Sequence, residues 1–466
     1  MQIPEKLNDI LRNCPGTPYI IGGAVRDWIL SGCSNTFKPK DYDIEVFGVS
    51  EDALKRYLST FGMVSAVGKE YGVLKLSLPE FPSALDFSLP RRERQIGPLH
   101  TDVEVTVAPN MPPEEAASRR DLTVNALMWA PRIKQLIDFF GGAQDLNNKI
   151  LRATSYRFSE DALRPLRVFQ FSARFDFEVC PHTLETCSKM RSRFAVLPKA
   201  RIWEEWWKWA TKSKKPSKGL DALLAMGWLD AFQEVHALRG CAQEPSHHPE
   251  GDAFEHTKFV CDAMAEIADR ESLDEDARAI AMFSALCHDF GKPATTSFHE
   301  EKKKVISYGH DKAGKEPTIS FMSSIGAPNK LGEVVSRLVG EHMVHICSNG
   351  GLSSAAIRRC ADRLYPATIP QLSRLIEADH SGRPPLPKSH PCPDIVSRAT
   401  ALGCVNGPIK AFITGQDVID RGINPGPIVG LIVRQARDRQ LSGKLTDRET
   451  AVEWLTSRLA NEDVRV

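Results

Sequence analysis

The sequence predicts an α+β protein, with an α/β head followed by a longer, all-helical region. Two features carry that expectation. Across residues 1–150, short apolar runs meet turn residues and alternate with helical periodicity, the pattern of strands and helices layered on one sheet. Beyond about residue 151, the apolar spacing becomes helical.

Tyr19–Ile21, Ile44–Phe47, Leu74–Leu78 and Ala84–Leu89 read as strands, and Val25–Leu30 and Glu51–Phe61 as helices. Leu163, Leu166, Val168, Phe169 and Phe171 give a helix one apolar face. Trp203, Trp206, Trp207 and Trp209 crowd the next, where packing is a commoner use of the rings than base stacking. Residues 211–219 (TKSKKPSKG) read as an exposed loop. Residues 244–252 (EPSHHPEGD) form a loop that opens a third, histidine-bearing helical stretch. The cluster Ser381-Gly382-Arg383-Pro384-Pro385 marks a linker at its end. Helical pieces then flank Gly422–Gly430. The expected organisation is a head over 1–150, a helical neck and body over 151–245, a third domain over 246–385 and a helical tail over 386–466.

A length of 466 residues allows two to four domains. A composition 42% hydrophobic and 26% charged excludes global disorder. Sixty basic residues against 59 acidic exclude a globally basic nucleic-acid coat protein, but not a local basic groove. Residues 149–174 supply such a strip: Lys149, Arg152, Arg157, Arg164, Arg167 and Arg174 against Glu160 and Asp161. No run of about 18 apolar residues is present, so no membrane span is expected. The first residues, MQIPEKLNDILRN, lack the apolar core of a signal peptide. Eleven cysteines without a CxxC pair fit a reducing cytoplasm better than a disulfide framework or a zinc knuckle.

Chemistry concentrates first in the head. Gly22-Gly23 follows an apolar strand and opens a helix, where backbone and helix N-terminus suit a phosphate, and Arg26 adds a charged fork. A Gly-Gly turn alone is common. Asp41 and Asp43 stand at i and i+2 before an apolar run, so a strand there would project both carboxylates to one face. Like charges so placed call for a cation, and Mg²⁺ prefers such oxygens together with substrate phosphates. Asp86, in another strand, is a candidate third carboxylate. Arg119 and Arg120 suit polyphosphate, with Asp121 available to a ribose hydroxyl. Asp161 and Arg164, at i and i+3, would share a helix face. They read either as a surface ion pair or as a carboxylate and guanidinium able to meet the edges of cytosine and adenine.

Seven segments together resemble the tRNA nucleotidyltransferases of the bacterial-eukaryotic type (CCA-adding enzymes) and the related bacterial poly(A) polymerases. They are IGGAVRD (21–27), KDYDIEVFG (40–48), VGKEYGVLKL (67–76), SRRDLTVNAL (118–127), DFFGGAQDL (138–146), EDALRPLRVFQFSARF (160–175) and, more weakly, RIWEE (201–205). The resemblance implies a polymerase-beta-like nucleotidyltransferase head. It implies that Asp41, Asp43 and Asp86 hold Mg²⁺ and that Gly22, Gly23 and Arg26 grip the triphosphate. Asp121 would meet the ribose beside Arg119 and Arg120. Asp161 and Arg164, supported by Arg167, would select CTP or ATP without a nucleic-acid template. The implied partners are CTP, ATP and the tRNA 3′ end and acceptor stem, with no membrane.

Two positions depart from the family pattern. Ala116 stands where an acid is common, and Pro165 follows Arg164. Inside a helix, Pro165 would remove the bond to the Asp161 carbonyl and kink the chain at the base-reading pair. The segment VGKEYGVLKL lacks the consecutive basic residues and the Phe-x-Leu-His pattern associated with poly(A) polymerases, and no long basic tail follows. Both absences favour CCA addition, or a CC- or A-adding version of it, over poly(A) addition.

A second constellation lies in the third stretch. His288-Asp289 follows His256 by 32 residues, and His310, His342 and Asp379 come after. Imidazole and carboxylate at adjacent positions suit a divalent metal. The pattern resembles the HD superfamily of metal-dependent phosphohydrolases. That resemblance implies His256, His288, Asp289 and Asp379 as ligands, with His310 and His342 as further ligands or phosphate contacts. It also implies phosphatase or 2′,3′-cyclic phosphodiesterase chemistry on RNA ends or nucleotides. Two alternatives stay open here: an HD domain that only binds RNA, and an HD phosphohydrolase with a relic nucleotidyltransferase half. The tail segment 415–430 (GQDVIDRGINPGPIVG) resembles the C-terminal part of bacterial CCA-adding enzymes, which implies packing on the tRNA elbow.

Overall fold

The structure, a computed structural model, describes residues 1–67, 73–95, 103–347 and 352–460. The chain folds as two compact units, Met1–Ala231 and Phe232–Val466.

The first unit is built on a seven-stranded mixed sheet. Its strands are β1 (Thr17–Ile21), β2 (Asp43–Phe47), β3 (Met63–Val67), β4 (Val73–Ser77), β5 (Leu85–Ser88), β8 (Met128–Ala130) and β9 (Gln135–Ile137), while β6 (Arg91–Gln95) and β7 (Val103–Val107) pair separately. The order is β3-β4-β5-β2-β1-β8-β9, with only β2 and β5 parallel. Part of the expected segment VGKEYGVLKL, residues 68–72, lies outside the described residues, and its end forms β4.

Register explains the sheet's two faces. Ile20, Ile44, Phe87 and Leu74 align across β1, β2, β5 and β4, and all four are fully buried. One residue along, Ile21, Asp43, Asp86 and Lys75 align across the same strands. Side chains alternate faces along a strand, so the row beside the core row is presented to the opposite face.

Helices complete this unit. The helix α1 (Gly23–Leu30) follows β1 through Gly22, whose φ of +66° is one that side chains beyond glycine rarely adopt. Further on, α2 (Arg164–Phe175) packs on α3 (Lys199–Lys212) and α4 (Pro216–Ala225). Trp206 and Trp209 are fully buried, with ring centres 4.7 and 6.0 Å from that of Phe169, so the tryptophan cluster does pack a core. Burying each such ring contributes roughly 1.5–3 kcal/mol or more.

Residues 211–219 are not an exposed loop. Thr211 and Lys212 form the end of α3, and α4 begins at Pro216, with Thr211, Ser213, Pro216, Ser217 and Gly219 buried. Pro216 sits in the first turn, where its missing N–H costs nothing, and Leu220 and Leu223 carry the helix into the core.

The second unit is helical, with one small hairpin, Ser297–His299 and Lys304–Ile306. Four helices form its centre: α5 (Ala253–Arg270), α6 (Glu275–Cys287), α7 (Asn329–Glu341) and α8 (Ile369–Ser381). The final helices, α9 (Gly415–Ile419), α10 (Pro427–Leu441) and α11 (Arg448–Ala460), enclose a core of Val418, Ile432, Ala451 and Leu455. Among the described residues, no helix is long and apolar enough to cross a membrane, and ten cysteines are free.

Candidate functional site

The first site is a cleft of about 930 Å³ in the first unit. The sheet supplies Asp43 from β2 and Asp86 from β5, side by side in the parallel register. Lys75 of β4 lies 3.1 Å from Asp86 on its other side. Arg91, Arg119, Arg120 and Arg201 line the cleft together with Asp161 and Arg164. Arg120 also pairs with Glu45 at 3.5 Å. Withdrawal from bulk water, with Asp86 and Asp41 close by, raises the Asp43 carboxyl above its usual range, against the pull of Arg120. Clustered hard oxygen donors whose repulsion Lys75 and Arg120 offset only in part are the donor chemistry that Mg²⁺ fits.

Asp41 differs from expectation. It precedes β2 and, like Asp43, is exposed; it accepts a hydrogen bond from Ser83 at 2.9 Å and lies near enough to Asp43 to raise that carboxyl. The strand begins only at Asp43, so the in-register partner of Asp43 is Asp86 rather than Asp41.

Asp161 and Arg164 line the cleft but do not share a helix face. Asp161 is extended (φ −110°, ψ 118°) at the end of the 3₁₀ turn Tyr156–Glu160, and α2 starts at Arg164. Pro165 therefore occupies the first turn of α2, where proline needs no hydrogen bond, and no kink arises. The carboxylate of Asp161 accepts two hydrogen bonds from Arg201, at 2.8 and 3.2 Å, and one from the N–H of Leu163, two residues on. Those bonds outweigh burial and hold the Asp161 carboxyl below its usual range. Arg164 donates to the backbone carbonyls of Arg157 and Arg119, at 2.6 and 2.5 Å.

Arg26, Asp121 and Arg167 form a knot instead of lining the cleft. Arg26 is only 5% exposed, donates to Asp27 and Asn125, and lies over the rings of Phe171 and Phe175. Asp121, 7% exposed, accepts from Arg167 at 2.6 Å, from Asn125 at 3.0 Å and from the Leu122 N–H at 2.8 Å. Burial pushes its carboxyl up, but Arg167 and Asn125 outweigh it and bring it down to about 2. Both Arg26 and Asp121 are buried and turned toward these protein partners. Gly22 spends its own N–H on the Leu127 carbonyl, and Gly23 opens α1. Asn125, Asp27, Arg201 and Glu205, which pairs loosely with Arg167 at 3.9 Å, were not singled out from the sequence. Ala116 lines the cleft as a buried methyl.

The second site, in the second unit, gathers all six sequence candidates. His256 projects from α5 and Asp379 from α8, while His288 and His342 follow the last turns of α6 and α7. His310 opens the short helix His310–Ala313. Gly291 permits this convergence, because a Cβ there would lie 2.0 Å from the His310 carbonyl oxygen. His256, His288 and Asp379 form one group of potential ligand atoms, and Asp289, His310 and His342 an adjoining one. Asp289 joins them: Oδ2 lies 3.2 Å from His288 Nε2 and 3.9 Å from His256 Nε2, and Oδ1 lies 3.5 Å from His310 Nε2.

The outer nitrogens explain the inward ones. Nδ1 of His288, His310 and His342 donates to the carbonyls of Ala285, Ser307 and Val339, at 2.7–2.8 Å. A proton fixed on Nδ1 leaves Nε2 as a lone pair facing the centre. His288 Nε2 is buried without a hydrogen-bond partner, and His310 and His342 face each other at 3.1 Å between Nε2 atoms. Burial, helped by His310 and His288, lowers His342 to about 3, so it is neutral. Burial would raise the Asp289 carboxyl, but His288, Lys292 and His310 hold it well below the usual range. Buried imidazoles with Nε2 turned inward, beside the carboxylates of Asp289 and Asp379, are a donor set that fits a divalent metal.

The cluster Ser381–Pro385 does more than link. The Gly382 carbonyl lies 3.2 Å from His256 Nδ1, and Arg383 donates to the Asp379 carbonyl. Glu250 and the facing pair His345–His380 (3.0 Å between Nε2 atoms) were not anticipated. His345 and His380 stand 35 positions apart on separate elements, and the sequence alone does not show that they meet.

Comparison with known proteins defines the class. Residues 18–152 match the family model of the Poly A polymerase head domain, and residues 253–377 match that of the HD domain. The chain is 31% identical over 434 residues to the Multifunctional CCA protein of Verminephrobacter eiseniae, covering 90% of this chain and 97% of that one. It is 32% identical to the protein of the same name from Pasteurella multocida, covering 78% and 84%. The chain belongs to the family of multifunctional CCA proteins. The fold agrees. The Bacillus stearothermophilus CCA-adding enzyme in complex with CTP aligns over the full length of both chains, with a TM-score of 0.64 at 18% identity. The Thermotoga maritima CCA-adding enzyme complexed with tRNA-CCA aligns over 98% and 96%, with a TM-score of 0.56 at 18% identity.

Proposed function

We propose that this chain is a template-independent tRNA nucleotidyltransferase that builds or repairs the 3′-CCA end from CTP and ATP, with a metal-dependent phosphohydrolase in its second unit. The observation that carries the first activity is the in-register pair Asp43 and Asp86 in a cleft rimmed by Arg119, Arg120, Asp161 and Arg164. Relatives bearing the name Multifunctional CCA protein, and neighbours solved with CTP, ATP or tRNA, support it.

Asp43 and Asp86, with Asp41 at the rim, are the residues to hold Mg²⁺. Bound there, the metal supplies activation of the RNA 3′-hydroxyl and neutralisation of the triphosphate. The protein's own share is positioning. Arg119 and Arg120 offset phosphate charge in a partly enclosed cleft, where such interactions are stronger than in water. Asp161 presents its carboxylate, braced by Arg201, toward the exocyclic amine that cytosine and adenine both carry. Arg164, braced by two carbonyls, offers its remaining edge beside it. The knot of Arg26, Asn125, Asp121 and Arg167 ties the Gly-Gly turn to α2, which fixes the base-reading residues relative to the phosphate end.

In the second unit, His256, His288, Asp289 and Asp379, with His310 and His342, are the residues to hold one or two divalent ions. A metal there polarises a phosphoryl oxygen and supplies activated water. Lys292, 2.7 Å from Asp289, adds a fixed positive charge beside the phosphate position. The four-part division at 150, 245 and 385, and action in the reducing cytoplasm, belong to the same proposal. The test is a tRNA transcript lacking CCA, incubated with CTP and ATP: it gains three nucleotides and stops.

A further inference from the structure

Among the four histidines of the second-unit centre, His256 is set apart by what holds its outer nitrogen. Nδ1 of the other three rests on backbone carbonyls. Nδ1 of His256, besides lying 3.2 Å from the Gly382 carbonyl, lies 2.7 Å from Oε1 of Glu250, a carboxylate whose side chain is fully buried. The same oxygen lies 2.8 Å from Nδ1 of His248, whose ring meets that of His256 edge to face at 4.6 Å. Oε2 of Glu250 is buried without a hydrogen-bond partner. A carboxylate so placed is disfavoured by desolvation, and it is retained against that cost.

We propose that Glu250 is a positioning residue for the metal centre: it fixes the His256 tautomer and ring so that Nε2 points at the metal, and strengthens that nitrogen as a donor. The inference rests on reading the second unit as a metal centre, and adds the loop 244–252 to it. A carboxylate accepting the Nδ1 proton makes an imidazole a more basic ligand than a carbonyl does. The loop is fastened at several points. Asp252 accepts from the N–H groups of Glu255, at the start of α5, and Gly240, at 2.9 and 2.7 Å. Gln243 donates to the Gly251 carbonyl at 3.1 Å and accepts from Lys292 at 2.5 Å, and Lys292 reaches Asp289 at 2.7 Å. The backbone beside Glu250 is thereby tied through Gln243 to Lys292, which also pairs with Asp289.

The experiment uses the full chain, stripped of metal and titrated with Co²⁺ by calorimetry and by its visible spectrum. Asp289→Ala defines which binding component belongs to this centre. Glu250→Gln, which keeps the shape and removes the charge, should weaken that component about 10- to 100-fold and alter the Co²⁺ bands. Its metal-free melting temperature should stay at the wild-type value, and Glu250→Ala should bind more weakly still. Wild-type affinity and spectrum in both Glu250 variants would overturn the positioning role while leaving the metal centre intact. Absence from the wild-type chain of any component sensitive to Asp289→Ala would overturn the metal centre and the inference with it.

Discussion

Arg201 grips both carboxylate oxygens of Asp161, at 2.8 and 3.2 Å, in the wall of the cleft. The two residues come from segments 40 positions apart, and the gripped Asp161 side chain keeps 34% of its surface exposed. Arg164 is fixed independently, by the carbonyls of Arg157 and Arg119.

Releasing that grip should blur nucleotide choice. Arg201→Ala is expected to lower the kcat/KM ratio of CTP over UTP by roughly 10- to 100-fold, the usual worth of a lost polar discrimination. Arg201→Lys, which cannot make the two-point contact, should fall between. Arg164→Ala should blur CTP and ATP selection by a comparable factor. Competition assays with mixed nucleotides check this, and unchanged ratios would remove these residues from base selection.

Asp43→Asn keeps the shape of the carboxylate and removes its charge. Nucleotide incorporation should fall by about a thousandfold or more, while hydrolysis of a 2′,3′-cyclic phosphate stays at wild-type rate. Normal incorporation by this variant would displace the metal assignment at Asp43.

Asp289→Ala reverses the pattern. It removes the group that lies within 4 Å of His256, His288 and His310. Phosphate release should vanish and CCA addition persist. Persistence of hydrolysis would place that chemistry elsewhere.

Asp121 makes stability depend on pH. Its folded carboxyl lies at about 2, below an unfolded value of about 3.9. Because the folded value is the lower one, the stabilisation is complete above the unfolded pKa. It is lost as pH falls from about 4 through 2. Its size is on the order of 2 kcal/mol. Asp121→Asn should therefore destabilise the protein by at least that much at pH 6 in urea denaturation, and the difference should shrink near pH 3. An equal difference at both pH values would mean that Asp121 is not ionised against Arg167.

The head was legible because its chemistry follows strand alternation. Asp43 and Asp86 could be placed from short β-signals, and the parallel register that joins them is a tertiary fact. The roles of Arg26 and Asp121 were less legible. Their residue types suit phosphate and ribose, and the sequence does not show that Asn125 stands between them and turns both inward. Pro165 misled for a local reason: the helix was expected to run through Asp161, and it starts at Arg164. In the second unit the six candidates were readable as residue types, whereas Glu250 sat unnoticed in a polar loop. Its partner His256 lies only six residues on, and nothing in EPSHHPEGD distinguishes a buried carboxylate from a solvated one.

The most direct measurement is extension, at single-nucleotide resolution, of three tRNA transcripts ending before CCA, after C and after CC, each with CTP, ATP or both. The expected result is C, C and A added in order from CTP and ATP, stopping at the completed end on all three. An unbounded ladder of A residues, or no extension of any transcript, would contradict the proposed function.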